Sequence, residues 1–251
     1  MKDLWKKPLF KYLLISGILL MCITSIYMYF SHDVSKLKTQ FPHLKILPDQ
    51  EVEVEIKQGK PGHWTNLKDI SKYAKWAIVL SEDWAFYQHE GLDVEQMKVA
   101  LNEMMAAERF RGASTITQQM VKNVLLSDSR TLWRKLHEIV LAQKVEKVLA
   151  KDRILELYFN SIEFGPGIYG IKKASLHYFK KNPSSLSPRE GAFLALLLPS
   201  PKRYYISFKK KKLTRFAQIR IKAILRKLRM GKVLTPEQYD YEINQRFDWE
   251  K

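Results

Sequence analysis

Glu82 stands in a sequence setting that favours acid–base chemistry. Asp83 follows it directly, and a tryptophan, a phenylalanine and a tyrosine come within the next four positions. An apolar, aromatic environment raises the pKa of a carboxyl group and adapts it to proton transfer. Most adjacent carboxylates are solvated surface groups, so a second feature is needed to support a catalytic role.

Glu138 supplies a second carboxylate on another element. The sequence predicts a helix over residues 131–149, and on it Leu141, Ala142 and Val145 share the face of Glu138. Acidic side chains are rarely buried without a partner. Arg134 and Lys135 lie one turn away and could pair with it at the surface instead. Two carboxylates on different elements would suit glycosyl chemistry.

An anion site is predicted in the part of the sequence that lies between Glu82 and Glu138. Residues 111–115 read Arg-Gly-Ala-Ser-Thr and precede a predicted helix, whose free N–H groups favour phosphate. Three cations follow, Lys122, Arg130 and Arg134. The alternative is that the glycine in this segment only forms a tight turn, with no anion bound.

A zinc site is not expected. His89 to Asp93 resembles a zinc-protease motif with Asp93 in place of the second histidine, but Gly91 breaks the helix that would align the ligands. The single cysteine, Cys22, excludes cysteine-based zinc sites and internal disulfides.

The elements that position these residues are predicted to be mainly α-helical. Asp93 with Gln96 and Thr115 with Gln118 form the pairs that begin a helix, the first running to about Arg109. Gln50 to Ile56 alternates charged and β-branched residues, which favours a short strand. In the helix after Thr115, a core stripe is expected, formed by Ile116, Met120 and Val124.

Thirteen of the 43 basic residues lie between Pro201 and Lys232, where there is no acidic residue. This segment alone carries +13 of the net charge of +17. It predicts an amphipathic helix with a core stripe and a basic face, and an anionic partner such as a membrane surface. The alternative is a helix whose basic face is exposed to solvent and has no anionic partner. Nucleic acid is not expected, because no nucleic-acid-binding motif is present.

The N-terminus predicts a single-pass membrane anchor. Residues 12–30 contain no charged residue, and four lysines precede them, so residues 1–11 should stay in the cytoplasm. A cleaved signal peptide is the alternative, but the segment ends in aromatic rather than small residues. Residues 31–62 are then expected to be a stalk, and residues 63–251 the functional domain.

Together these clusters resemble the lysozyme-like glycosyltransferase domain of peptidoglycan polymerases, glycosyltransferase family 51. The motifs occur in the family's order over roughly residues 63 to 240. They comprise Glu82-Asp83 with Phe86, His89, Gly91 and Asp93; residues 111–119 with Lys122 and Asn123; residues 134–138; residues 153–160; residues 163–170 with 174–179; and residues 186–190 with 198–201.

The resemblance implies a fold and a reaction. It implies a lysozyme-like, mainly α domain that polymerises lipid II into β-1,4 glycan strands, with inversion and release of undecaprenyl pyrophosphate. It makes Glu82 the general base and Glu138 a second essential carboxylate. It places the pyrophosphate among Lys122, Arg130, Arg134, Ser114, Thr115, Gln118 and Gln119. His137 departs from relatives that carry a lysine there.

The amino-acid sequences of residues 111–115 and 163–165 are similar to those of the monofunctional biosynthetic transglycosylases. No transpeptidase activity is therefore expected, and no Lys-Thr-Gly motif is present. The resemblance suggests a Gram-negative inner membrane, a periplasmic catalytic domain, and partners in cell-wall synthesis or division. No obligatory cofactor is expected, although Mg²⁺ or Mn²⁺ could assist. A lysozyme-like glycan hydrolase and a non-enzymatic polyanion-binding scaffold are the alternatives.

Overall fold

The computed structural model describes residues 32–48, 51–106, 112, 114–126 and 131–251, together with Tyr12, Ser16 and Met21. The chain divides into two compact units, residues 1–34 and 35–251. Apart from Tyr12, Ser16 and Met21, which are helical, the predicted anchor lies outside the described residues. None of the described helices combines the length and apolar character needed to cross a membrane.

The second unit is mainly helical, as predicted. Its helices are α1 (Lys72–Glu82), α2 (Val94–Met105), α3 (Ile116–Leu125), α4 (Leu132–Val148), α5 (Lys151–Ser161), α6 (Ile171–Phe179), α7 (Pro188–Leu197), α8 (Pro201–Tyr204), α9 (Ile206–Lys209), α10 (Arg215–Met230) and α11 (Pro236–Asn244). Short 3₁₀ helices cover Val34–Lys38, Leu67–Asp69 and Pro183–Ser185.

Two antiparallel hairpins complete the second unit. Strand β1 (Phe41–Ile46) pairs with β2 (Val52–Lys57) so that Phe41 lies opposite Lys57. Strand β3 (Glu163–Gly165) pairs with β4 (Ile168–Tyr169). The strand predicted over residues 50–56 is therefore confirmed as β2, shifted by two residues at its start.

The helix starts follow the predicted capping residues. The side chain of Asp93 accepts from the backbone N–H of Gln96, and Thr115 and Gln118 form a complete capping box. Thr131 caps α4 in the same way by accepting from Arg134 N. Side chains that accept these N–H groups stabilise a helix start by about 1 kcal/mol each. The pairs at Asp93 and Thr115 were sufficient to predict the starts of α2 and α3.

Helix α7 forms the centre of the core. All ten of its residues are buried, and it packs against both α1 and α10. The predicted stripe of α10 is confirmed, since Ala217, Ile221, Ile224 and Leu228 are buried. Helix α3 buries Ile116, Met120 and Val124 as predicted, and it packs against α4 and α5.

We expect Gly191→Ala to destabilise the fold strongly. A Cβ atom at Gly191 would lie 2.7 Å from the Cα of Ala74, which is backbone and cannot rotate away. Helices α1 and α7 would have to separate, at a cost of about 2–3 kcal/mol. Chemical denaturation should show this loss, whereas Gly62→Ala, which meets nothing within 4 Å, should change stability little. An unchanged midpoint in Gly191→Ala would contradict the close packing.

The compact unit that contains the helices begins at Ser35 and so includes residues 35–62, the segment before the predicted domain start at residue 63. Arg153 on α5 joins this segment to the helices: its Nε and Nη2 donate to the carbonyls of Leu37 and Gln40 at 2.9 and 2.7 Å. Its guanidinium also stacks over the rings of Phe41 and Trp64. Most of the predicted stalk is thus part of the helical unit.

Candidate active site

Glu82 is the last residue of α1, and its side chain is half-buried. Gln119 Nε2 donates to Glu82 Oε2 at 2.9 Å. Burial raises the pKa of Glu82, while the bond from Gln119 and the charges of Lys227 and Arg220 act in the opposite direction. A carboxylate with a raised pKa and a fixed orientation is suited to accept a proton.

Tyr158 holds Gln119 in place. Its hydroxyl donates to Gln119 Oε1 at 3.1 Å, so the amide must present its N–H group to Glu82. Burial, together with the charges of Glu82 and Asp83, raises the pKa of Tyr158 well above its usual value. The hydroxyl therefore stays protonated and remains a donor.

Asp83, the residue after Glu82, connects the end of α1 to the start of α3. Its buried carboxylate accepts from the backbone N–H of Ile116 at 2.9 Å and lies 2.9 Å from His89 Nε2. The Thr115 hydroxyl donates to Gly91 O at 2.7 Å. These contacts join the end of α1 to the start of α3, and so they set the distance at which Gln119 reaches Glu82.

The predicted anion-site residues before and within α3 differ in how far their side chains are exposed. The side chains of Thr115 and Gln118 are buried in their capping box, with Gln118 Oε1 accepting from Thr115 N at 2.9 Å. Ser114 is half-buried and accepts from Lys135 Nζ at 3.0 Å. Lys122 is exposed. Ser114 and Lys122 are therefore accessible, whereas Thr115 and Gln118 support the backbone.

Glu138 is buried on α4, with 3% of its surface exposed. Arg134 Nη1 donates to Glu138 Oε2 at 2.8 Å, and Lys135 Nζ donates to Glu138 Oε1. The apolar face and the charge pairing, which the sequence offered as alternatives, thus occur together. A buried carboxylate with two cations fixes both cations near the surface, which suits binding of an anion.

The two carboxylates converge on the segment 114–119. Glu82 reaches it through Gln119, and Glu138 reaches it through Lys135 and Ser114. Arg130 lies outside the described residues, so its predicted contact with pyrophosphate stays a prediction. His137, the residue that departs from relatives with a lysine, is buried on α4.

A cavity of about 430 Å³ lies next to Gln119. It is bounded by the outer face of α3, by both hairpins and by the junction of α7 with α8. Its polar lining is formed by Gln119, Lys122, Asn123, Ser161, Glu163, Tyr169, Ser200 and Lys202. This volume is within the range of sites for small molecules, and its polar lining suits a carbohydrate.

The described residues do not favour a metal centre. No three histidine, cysteine, aspartate or glutamate side chains among them come together. Both oxygens of Glu138 already accept from cations, which would repel a divalent ion. An accessory divalent cation at this carboxylate therefore does not fit the described donor set.

Comparison with known proteins identifies the family. A model of the Transglycosylase family matches residues 49–229. The chain belongs to the transglycosylase family. The resemblance seen in the sequence motifs is thereby confirmed, and neither the hydrolase nor the scaffold is favoured.

Biosynthetic peptidoglycan transglycosylases are among the similar transglycosylases. That of Shewanella frigidimarina is 46% identical over 140 residues, covering 56% of this chain and 62% of the relative. That of Nitrosomonas eutropha is 41% identical over 142 residues, covering 56% and 58%. Penicillin-binding protein 1A of Neisseria gonorrhoeae is 37% identical over 189 residues, covering 75% of this chain and 23% of the relative. The chain thus spans about three fifths of the length of the first two relatives.

Two residues complete this transglycosylase site without having been predicted as site residues. Tyr158 lies within the motif at residues 153–160, and Lys135 lies within the motif at residues 134–138, one turn from Glu138. The spacing of Lys135 three residues before Glu138 was a usable signal, because such residues face each other on a helix. No local signal indicates Tyr158, whose partner Gln119 is 39 residues away.

Proposed function

We propose that this transglycosylase is a peptidoglycan glycosyltransferase that polymerises lipid II and has no transpeptidase activity. The observation that carries the proposal is Glu82, a half-buried carboxylate with a raised pKa that accepts from Gln119, a residue that lines a polar cavity. The names of the relatives support the same reaction. The lipid II sugars and the growing glycan chain would occupy that cavity.

Glu82 acts as the general base in this proposal. It takes the proton from the 4-hydroxyl of the acceptor sugar while that oxygen attacks the anomeric carbon of the growing chain. A new C–O bond forms on one face, and the bond to the pyrophosphate oxygen breaks on the other, so the configuration inverts. A raised pKa strengthens Glu82 as a base.

The leaving pyrophosphate is stabilised by cations. Lys122 lines the cavity, and Arg134 and Lys135 are fixed by Glu138. Fixed positive groups lower the barrier because they are already oriented when charge develops on the leaving oxygen. Arg130 is proposed as a further contact, by resemblance alone. We derive no step through a divalent cation, since the donors around Glu138 do not fit one.

The catalytic domain is proposed to work on the periplasmic side of the inner membrane, with the N-terminus in the cytoplasm. Substrates with lipid tails require a site at the bilayer surface. Helices α2 and α4 expose large apolar side chains, among them Met104, Met105, Leu132 and Trp133 at 49%, 77%, 86% and 67%. Exposed apolar surface of this kind favours a membrane contact. Proteins of cell-wall synthesis or division are proposed as further partners.

Incubation of the purified chain with labelled lipid II tests the proposal. We expect ladders of glycan products on a gel that collapse on muramidase digestion and are absent in Glu82→Gln. Products released from finished cell wall, without ladders from lipid II, would instead identify a hydrolase. No turnover of either substrate would contradict an enzyme of this class.

We expect Tyr158→Phe to slow polymerisation by reducing the ionised fraction of Glu82, without removing the base. Loss of the hydroxyl frees the Gln119 amide to rotate, so the bond that lowers the pKa of Glu82 weakens and that pKa rises further. Because Glu82 must be ionised, the acidic limb of the rate profile should move to higher pH. At neutral pH the rate should fall about fivefold, corresponding to one hydrogen bond of about 1 kcal/mol.

Initial rates of polymerisation across pH measure this effect. Tyr178→Phe is the matched control, since it removes another buried hydroxyl, one that donates to Phe164 O at 2.8 Å. Its rate profile should keep its shape. A Tyr158→Phe profile that is lower at every pH but not displaced would show that Tyr158 has only a structural role.

A further inference from the structure

The outward face of α10 carries cations and exposed apolar side chains together. Arg215, Lys222 and Arg226 lie at helical spacing on this face, and all three are exposed. Ile219 and Met230 lie among them with 58% and 76% of their surfaces exposed. The opposite face is buried against the core. Large apolar side chains that stay exposed within a basic face are not explained by packing in this unit.

The residues before α10 extend the same surface. Tyr204 stacks on Phe216 with ring centroids 5.1 Å apart and an interplanar angle of 17°. Lys209 to Lys212 are exposed. We call residues 201–230, with these exposed side chains, the α10 surface. Among the described residues, no carboxylate forms an ion pair with Arg215, Lys222 or Arg226 within 4.0 Å.

We infer that the α10 surface docks onto an anionic lipid bilayer. A helix with cations on its polar side and apolar residues between them lies in the headgroup region, where apolar side chains insert between lipids. Each Lys or Arg close to an anionic surface contributes about 1 kcal/mol. A nucleic acid or another soluble polyanion would satisfy the charges but would leave Ile219 and Met230 in water.

The position of the α10 surface gives docking a consequence for the site. Lys227 Nζ donates to Leu80 O at 2.7 Å, close to the end of α1, and Lys202 lines the cavity that contains Gln119. Docking would therefore hold the end of α1 and the Lys202 side of the cavity close to the helix that contacts the headgroups. This docking rests on the proposed function at the membrane. It adds a salt-sensitive electrostatic attraction to the apolar membrane contact proposed for α2 and α4.

A polarity-sensitive fluorophore on the full chain tests docking. Cys22→Ser removes the natural thiol, and Ala223→Cys places one label on the outward face of α10 while keeping Ile219 and Met230. Lys68→Cys places the label on an exposed position away from this face. The chain is incorporated into nanodiscs of zwitterionic lipid, with or without phosphatidylglycerol, at about 0.1 M and about 1 M salt.

We expect the label at position 223 to become brighter and blue-shifted only with phosphatidylglycerol at low salt. The label at position 68 should not respond. Adding Arg215→Ala, Lys222→Ala and Arg226→Ala should lower the ratio of docked to undocked chain about a hundredfold, from three charges at about 1 kcal/mol each. Lys36→Ala, Lys38→Ala and Lys45→Ala, which remove three exposed cations elsewhere, should leave it unchanged.

Three outcomes would overturn the inference. An equal response without phosphatidylglycerol would show an apolar contact only, and equal behaviour of the two triple variants would remove the role of these charges. A response to a soluble polyanion, but not to lipid, would assign the surface to that polymer. Since no lipid II is present, failure of the proposed polymerase reaction would not change these readings.

Discussion

Replacing Glu82 with glutamine should lower the rate of lipid II polymerisation by about 10² to 10⁴-fold. Glutamine has the size of glutamate and can still accept from Gln119 Nε2, which lies 2.9 Å from Glu82 Oε2. It cannot take a proton at any accessible pH. The loss should therefore appear in the turnover number, while the affinity for lipid II changes little.

The pH profile of the unchanged chain gives an independent check on Glu82. Burial raises the pKa of this carboxyl group, so the rate should fall as pH drops through a value above that of an ordinary glutamate. Glu53→Gln, which neutralises an exposed carboxylate on β2, is the matched control and should retain the rate and the profile. If Glu82→Gln keeps more than about a tenth of the rate, another group must act as the base.

The local features around the candidate site that the sequence predicted correctly depend on short-range order. Thr115 and Gln118 are three residues apart, and the burial of Glu138 follows from its apolar neighbours on one helix turn. Such patterns are fixed by helix geometry, and they hold in any packing that buries the same face. The apolar helix face of Glu138 and the start of α3 could therefore be predicted from the sequence.

The parts that were not predicted depend on contacts between distant residues. Lys227 contacts Leu80 across 147 positions, and Arg153 contacts Leu37 across 116. The first contact brings the basic helix to the end of α1, two residues before Glu82, and the second joins the segment around Leu37 to α5. Spacing along the chain carries no record of such pairs, because they are set by how helices pack.

Replacing Glu138 with glutamine should lower the polymerisation rate about a hundredfold, comparable to the loss of one preorganised group at a charged transition state. The amide has no charge to hold Arg134 and Lys135 together, so both cations lose their fixed orientation. The stability should also fall, on the order of 2 kcal/mol, because a buried ion pair is broken.

Glu146→Gln separates these two effects, because Glu146 is also a buried, paired carboxylate but holds neither Arg134 nor Lys135; its partners are Lys151 and the hydroxyl of Thr117. Glu146 lies on the same helix and has the same side-chain exposure of 4%, and it pairs with Lys151 at 2.8 Å. Both variants should shift chemical denaturation to lower denaturant. Only Glu138→Gln should lower the rate of the folded fraction. Equal rates in the two variants would make Glu138 a structural residue, and the cations would then have to be positioned by the substrate itself.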